Sequence, residues 1–149
     1  MISLINCMEL HESRRQRYYE KLENLDLNYS LAQKGLKNLS KENSLKLEIY
    51  GVLHAIQLTI ERITDISAMF MKDQGKIVKN TYDNLNEIYL HGMLTNTSKN
   101  SLFNLVGLRN RIAHDYNGLD EDLALNSFKE NIDSVSKFIN GVKKWIGKS

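Results

Sequence analysis

Not one of the 149 residues is proline. Proline removes a backbone donor and clashes with the turn before it, so its absence permits long, uninterrupted helices. Onto that backbone the sequence writes apolar residues at alternating three- and four-residue steps, the spacing that lays one stripe along a helix. The clearest run is Leu125, Phe128, Ile132, Val135, Ile139, Val142 and Ile146, which predicts a single long last helix. Asp120 suits its N-cap, and Glu121 and Asp122 favour the positive end of the helix dipole. Lys143, Lys144 and Lys148 crowd the negative end.

The same spacing organises the chain upstream. A first helix over about Leu4 to Leu39 has its seam at Tyr18, Leu22, Leu25, Tyr29, Ala32, Leu36 and Leu39. After a break that Ser40 or Asn43 would cap, a second runs from about Ser44 to Lys72 on Ile49, Leu53, Ile56, Ile60, Ile63 and Phe70. Asp73-Gln74-Gly75-Lys76 reads as a turn, with Gly75 suited to the helix C-cap. Thr81 to Leu94 reads as a short helix with Leu85, Ile88 and Tyr89 inward. The polar link Thr95-Asn96-Thr97-Ser98 caps a further helix reaching about Asn117, where Asn117-Gly118 signals a turn. No repeat or change of composition divides the chain. The expectation is one domain over residues 1–149, an all-α, up-and-down four-helix bundle with a short additional helix. A chain of this length buries roughly 70% of its unfolded surface, enough for one core.

Composition excludes more than it selects. Lys and Arg number 20 against 18 Asp and Glu, a net charge of +2, so no field of one sign advertises nucleic acid. RNA binding would need a local basic patch or a groove shared between subunits. Arg14, Arg15 and Arg17 read either as such a patch or as a solvated helix face beside Glu9, Glu12 and Glu20. Cys7 is alone, which excludes an intrachain disulfide and fits a reducing cytosol. No stretch approaches the roughly 20 apolar residues that span a bilayer, so a cytoplasmic protein with no membrane partner is expected. Glu87 and His91 share a helix face without a third ligand, so no metal site is expected. A phosphate-cradling glycine loop and a Ser or Cys nucleophile motif are both missing.

One stretch departs from this plain pattern. Arg109-Asn110-Arg111-Ile112-Ala113-His114-Asp115-Tyr116 gathers a guanidinium, an amide, an imidazole and a phenol behind the apolar run Leu102, Leu105, Val106 and Leu108. The guanidinium fork matches two phosphate oxygens and stays protonated. Imidazole exchanges protons near neutrality. Asn110 lies four residues before His114, one above the other on a helix, so its amide would orient the ring. Arg109 and His114 stand about 140° apart around a straight helix. They converge more easily if the helix ends near Ala113, or if two protomers juxtapose their motifs about a two-fold axis. A second polar line, His54, Gln57, Glu61 and Asp65, either faces solvent or points at this cluster and orients it. Each residue also has a bland reading: Arg109 in a salt bridge with Asp115 or Asp120, His114 as a helix-end histidine, Tyr116 as a core aromatic with a wet hydroxyl.

The order Arg109-Asn110-x3-His114-x-Tyr116, preceded by Gly107-Leu108 and followed by Asn117-Gly118-Leu119-Asp120, resembles the signature of HepT-like proteins. These are small helical RNases of the HEPN superfamily. The likeness covers the second half of the chain well and the first half in outline. It implies the same bundle and a metal-independent endoribonuclease without cofactor, the toxin of a type VII-like toxin–antitoxin pair. His114 would be general base and acid, Arg109 would stabilise the phosphoryl transition state, and Asn110 would orient the His. The products would be a 2′,3′-cyclic phosphate and a 5′-hydroxyl. Arg111, Glu61 and Asp65 would support the site or contact RNA. The implied partners are RNA (tRNA or mRNA), a cognate nucleotidyltransferase-type antitoxin, and a second copy forming a homodimer with a composite cleft. Tyr116 resembles the residue to which such a partner attaches AMP. The alternative is a non-catalytic HEPN module that binds a minimal nucleotidyltransferase or a nucleotide; the intact signature argues for the nuclease. A plain helical scaffold explains the seams but not the cluster.

Overall fold

The computed structural model describes residues 10–39, 44–115 and 118–148, which form six helices and no strand. They are α1 (Glu12–Asn38), α2 (Lys46–Asp73), α3 (Thr81–Leu90), α4 (Asn96–His114), α5 (Glu121–Asn131) and α6 (Asp133–Lys148). The bundle's legs are α1, α2, α4 and the α5–α6 pair, and α3 is the short addition. Helix α2 packs against α1, α3, α4 and α5, and α4 packs against α2, α3, α5 and α6. The site therefore sits on the two most enclosed elements.

The apolar seams become the core. Tyr18, Leu22, Leu25, Tyr29 and Ala32 of α1 join Leu53, Ile56, Ile60, Ile63 and Phe70 of α2, all buried. Leu125, Phe128, Val135, Ile139, Val142 and Ile146 bury from α5 and α6. Each such side chain contributes about 1.5–3 kcal/mol on leaving water, so the seams rather than the polar contacts hold the bundle. At one end Trp145 takes the rings of Tyr18 and Phe70 edge-on, with centroids 5.3 and 5.0 Å away. Beside them Asp73 accepts from Arg14 Nε at 3.1 Å, Arg14 Nη2 at 3.0 Å and the Tyr18 hydroxyl at 2.6 Å. Arg14 is thus a tie between α1 and the end of α2. Burial, with the Asp73 carboxylate next to it, pushes the Tyr18 hydroxyl far above its ordinary pKa.

Several expected boundaries move. Helix α2 starts at Lys46 with Leu45 as N-cap, where the Glu48 carboxylate accepts the Leu45 N–H at 3.4 Å. At its far end Gly75 (φ 69°) donates to Lys72 O while Lys76 donates to Met71 O. That is the paired reverse bonding that closes a helix with a left-handed residue. Gly92 (φ 76°) does the same for α3, through Gly92 to Tyr89 O and Met93 to Ile88 O. It stops α3 at Leu90 instead of Leu94, and Leu94 is buried from the connection instead. Helix α4 ends at His114 rather than near Asn117.

The single long last helix is two. The break falls at Ile132, whose carbonyl accepts the Tyr29 hydroxyl at 3.2 Å. Next to it the Ser134 hydroxyl takes the Asn131 carbonyl at 2.6 Å. Ile132 keeps helical dihedrals (φ −62°, ψ −35°), so the apolar seam passes through without changing face. Among the described residues no helix is long and apolar enough to cross a membrane. Cys7, the expected start at Leu4, the caps Ser40 and Asn43, and Tyr116 and Asn117 lie outside the described residues.

Candidate active site

Helix α4 starts where the Thr95 hydroxyl accepts the Ser98 N–H at 3.1 Å. Its buried stripe, Leu102, Leu105, Leu108 and Ile112, fixes the rotation of the helix. That rotation leaves Arg109 half-buried at the α2 boundary and Asn110, Arg111 and His114 exposed. Arg109 Nη2 donates to Glu61 Oε1 at 3.2 Å, and the same oxygen accepts from Gln57 Nε2 at 3.0 Å. Arg109 Nη1 reaches Asn110 Oδ1 at 3.4 Å. With side chains about a third exposed (33% and 28%), the ion pair is screened and adds little stability. Its effect is to aim the guanidinium, which still carries N–H donors beyond those two bonds.

Glu61, Arg109 and Asn110 line a cleft of about 320 Å³ with Thr64, Asp65, Thr81 and Val106. Asp65 is paired with Arg62 at 2.9 Å on its rim. The polar line of α2 therefore splits. Glu61 and Asp65 turn to the α4 cluster, while exposed His54 lines a second cavity of about 630 Å³ with Lys46, Tyr50, Gln57, Asp115 and Glu121. The second space is larger, but it lacks Arg109 and its Lys46 is held by Glu121, whose hydrogen bond raises the lysine's pKa. The guanidinium with spare donors marks the smaller cleft as the candidate. Thr64 and Thr81 were not foreseen in its wall; Thr81 opens α3, and only the bundle's topology brings it there.

His114 does not share this cleft. Helix α4 continues through it, so on one chain the imidazole and the Arg109 guanidinium diverge by about 140° around the axis. Asn110 turns its carbonyl to Arg109 rather than holding the His114 ring. Arg111 is exposed on another face, and Tyr116 lies outside the described residues. Neither proposed salt bridge of Arg109 forms: Asp120 caps α5 by accepting from Leu123 N–H at 3.0 Å, and Asp115 lines the larger cavity. Glu87 takes the Lys76 ammonium, which lowers its pKa, and His91 places Nδ1 2.8 Å from Glu87 O and its ring edge-on to Phe70. Among the described residues no group of three or more His, Cys, Asp or Glu could hold a metal ion.

The model of the ribonuclease HepT-like family matches residues 16–142, a span that contains every residue of this cleft. The chain belongs to the ribonuclease HepT-like family. Two relatives from Archaeoglobus fulgidus, each named "Putative RNase", are 32% identical to it. One aligns over 135 residues, covering 91% of this chain and 97% of the relative. The other aligns over 139, covering 90% and 99%. Solved structures share the all-α fold at lower identity. The tri-AMPylated HEPN toxin of Shewanella oneidensis, in complex with MNT antitoxin, superposes with a TM-score of 0.75 at 20% identity, covering 85% of this chain and 96% of that one. YutE, a cytosolic protein of unknown function from Bacillus subtilis, gives 0.78 at 13% identity, covering 93% of each.

Proposed function

We propose that this HepT-like protein is a metal-independent endoribonuclease, the toxin of a toxin–antitoxin pair. The observation that carries the proposal is Arg109: half-buried, aimed by Glu61, with donors to spare, on the same helix as an exposed histidine. In the reaction His114 takes the 2′-hydroxyl proton as O2′ attacks the adjacent phosphorus. The P–O5′ bond breaks, and O5′ leaves with a proton returned by imidazolium. Arg109 binds the phosphoryl oxygens while their charge is greatest. The products are a 2′,3′-cyclic phosphate and a 5′-hydroxyl. DNA, which lacks the attacking hydroxyl, is not cut.

Because Arg109 and His114 diverge on one helix, the working site is composite. A two-fold axis brings Arg109 of one protomer to the partner's His114, in a cleft of a homodimer. The same axis doubles Arg109 and Arg111 there, compensating for a nearly neutral chain. Asn110 and Glu61 aim the guanidinium, and Asp65 and Arg111 contribute to the rim. The silencing partner is a nucleotidyltransferase-type antitoxin, by fold-level analogy with the Shewanella complex. AMP attached to Tyr116, two residues after His114 in sequence, would add an anion that repels an RNA phosphate.

The test is cleavage of total RNA and tRNA in excess EDTA by the partner-free protein and by His114→Ala. Wild type is expected to cut and leave cyclic phosphate ends, with His114→Ala slower by about 10²–10⁴. If neither cuts, the divergence of Arg109 and His114 is the native state of affairs. The protein is then a non-catalytic module that binds a nucleotidyltransferase or a nucleotide.

A further inference from the structure

Helix α4 carries Lys99, Arg109 and Arg111 and not one carboxylate, in a chain whose total is only +2. Lys99, Phe103, Gly107 and Arg111 follow one another every four residues, a stripe that winds slowly round the helix. Helix α3 lays two tyrosines along it. Tyr82 meets Phe103 edge-on at 5.3 Å, and Lys99 Nζ stands 4.4 Å from the Tyr89 ring centre and 5.6 Å from that of Phe103. At Gly107 the missing side chain leaves a gap. Arg111 Nη1 and the Tyr82 hydroxyl each lie 3.8 Å from where a Cβ would be. Tyr82 is 37% exposed, and its neighbour Thr81 lines the Arg109 cleft, so the stripe runs beside the candidate site.

Two cations of this stripe are bound to no carboxylate among the described residues, and Lys99 instead lies over the Tyr89 and Phe103 rings. Arg14, Lys46, Arg62, Lys76 and Arg109 each hold a carboxylate, but among the described residues Lys99 and Arg111 hold none. The acids of α3 are turned elsewhere: Asp83 accepts from Asn80 and Glu87 from Lys76. Rings alternating with cations that hold no carboxylate suit a strand that presents bases and phosphates in turn, since any base stacks on a ring and each phosphate seeks a cation. A protein interface would instead exclude lysine from its centre.

We infer that the α3–α4 face formed by Tyr82, Tyr89, Lys99, Phe103 and Arg111 is a track for single-stranded RNA that runs beside the Arg109 cleft. The inference rests on the nuclease reading for what the track serves, though the track binds RNA whether or not the chain cuts it. Bases stack against Tyr82 and Phe103, and phosphates lie against Lys99 and Arg111.

The experiment uses a fluorescent oligouridylate and the full-length protein carrying His114→Ala, with anisotropy recorded across a salt series. Adding Tyr82→Leu is expected to weaken binding by roughly 5- to 100-fold. Lys99→Gln and Arg111→Gln are each expected to lower the slope of log affinity against log salt by about 0.7–1. Light scattering and thermal melting follow each variant. Unchanged affinity and slopes in folded variants overturn the track. So does a loss of dimer mass at unchanged affinity, which marks the face as a protein interface. Where mass and affinity fall together, Lys99→Gln decides, because an unchanged slope in a variant that keeps its mass overturns the proposal. Wild-type cleavage is scored apart. Binding along the track without cleavage overturns only the nuclease reading, and cleavage without the track overturns only the track.

Discussion

A single oxygen, Oε1 of Glu61, accepts from both Gln57 and Arg109 and so connects the α2 polar line to the α4 cluster. If Arg109 works on phosphate, its aim depends on that oxygen. Glu61→Ala is expected to lower kcat on RNA by about 10- to 100-fold, the scale of a misplaced catalytic group, while the melting temperature barely moves. A second residue-scale prediction concerns Tyr18. Its folded-state pKa is raised by burial and then by Asp73, while an unfolded tyrosine ionises near pH 10. The stability this contributes is fully present below about pH 10 and is lost as pH rises further toward the folded value. Tyr18→Phe should cost about 1 kcal/mol near neutrality and show a smaller alkaline loss than wild type, read from denaturant unfolding at about pH 8 and about pH 11. Tyr29, raised by burial and by Asp133, adds to the wild-type loss in the same direction.

Among the elements, the glycines divide by what a side chain would meet. A Cβ on Gly141 would lie 2.2 Å from the Met93 carbonyl oxygen, a backbone atom fixed by the turn after α3. Gly141→Ala is therefore expected to lose roughly 1–3 kcal/mol or more. Gly92→Ala faces open space and is expected to lose about 1–2 kcal/mol from its left-handed backbone alone. Calorimetry on the two variants checks the order. The helices themselves were legible because burial follows their period, from Tyr18 to Ala32 and from Leu125 to Ile146. Their ends were less so. Met93 and Leu94 prolong the apolar pattern past Gly92, and only the positive φ of that glycine marks the stop. Ile132 belongs to the seam on both sides of its break. The available hint was a pair of residues that bond the backbone from their side chains, Asn131 and Ser134.

For the whole molecule, the signature was legible as a set of residue types, and the splay of Arg109 from His114 followed from helix geometry, but the partner across the bundle did not. Arg109 and Glu61 are 48 positions apart, a pairing that no local pattern encodes, so the facing of the α2 line stayed open until the helices were packed. His114 and Arg109 are neighbours in sequence yet diverge in space, which makes symmetry the testable matter. Mixing Arg109→Ala with His114→Ala protein is expected to restore about a quarter of wild-type cleavage if each site draws on both protomers, since half of the dimers are mixed and each has one intact site. No recovery after subunit exchange would place both groups on one chain. The break at Ile132 has its own consequence at this scale. Helix α5 packs on α2 and α4, whereas α6 packs on α4 and α1 and carries Trp145 into the far aromatic cluster. The last fifth of the chain is thus expected to open as two units rather than one. Hydrogen exchange is the measurement that checks it: amides of α5 are expected to exchange before those of α6, which the Trp145 cluster anchors.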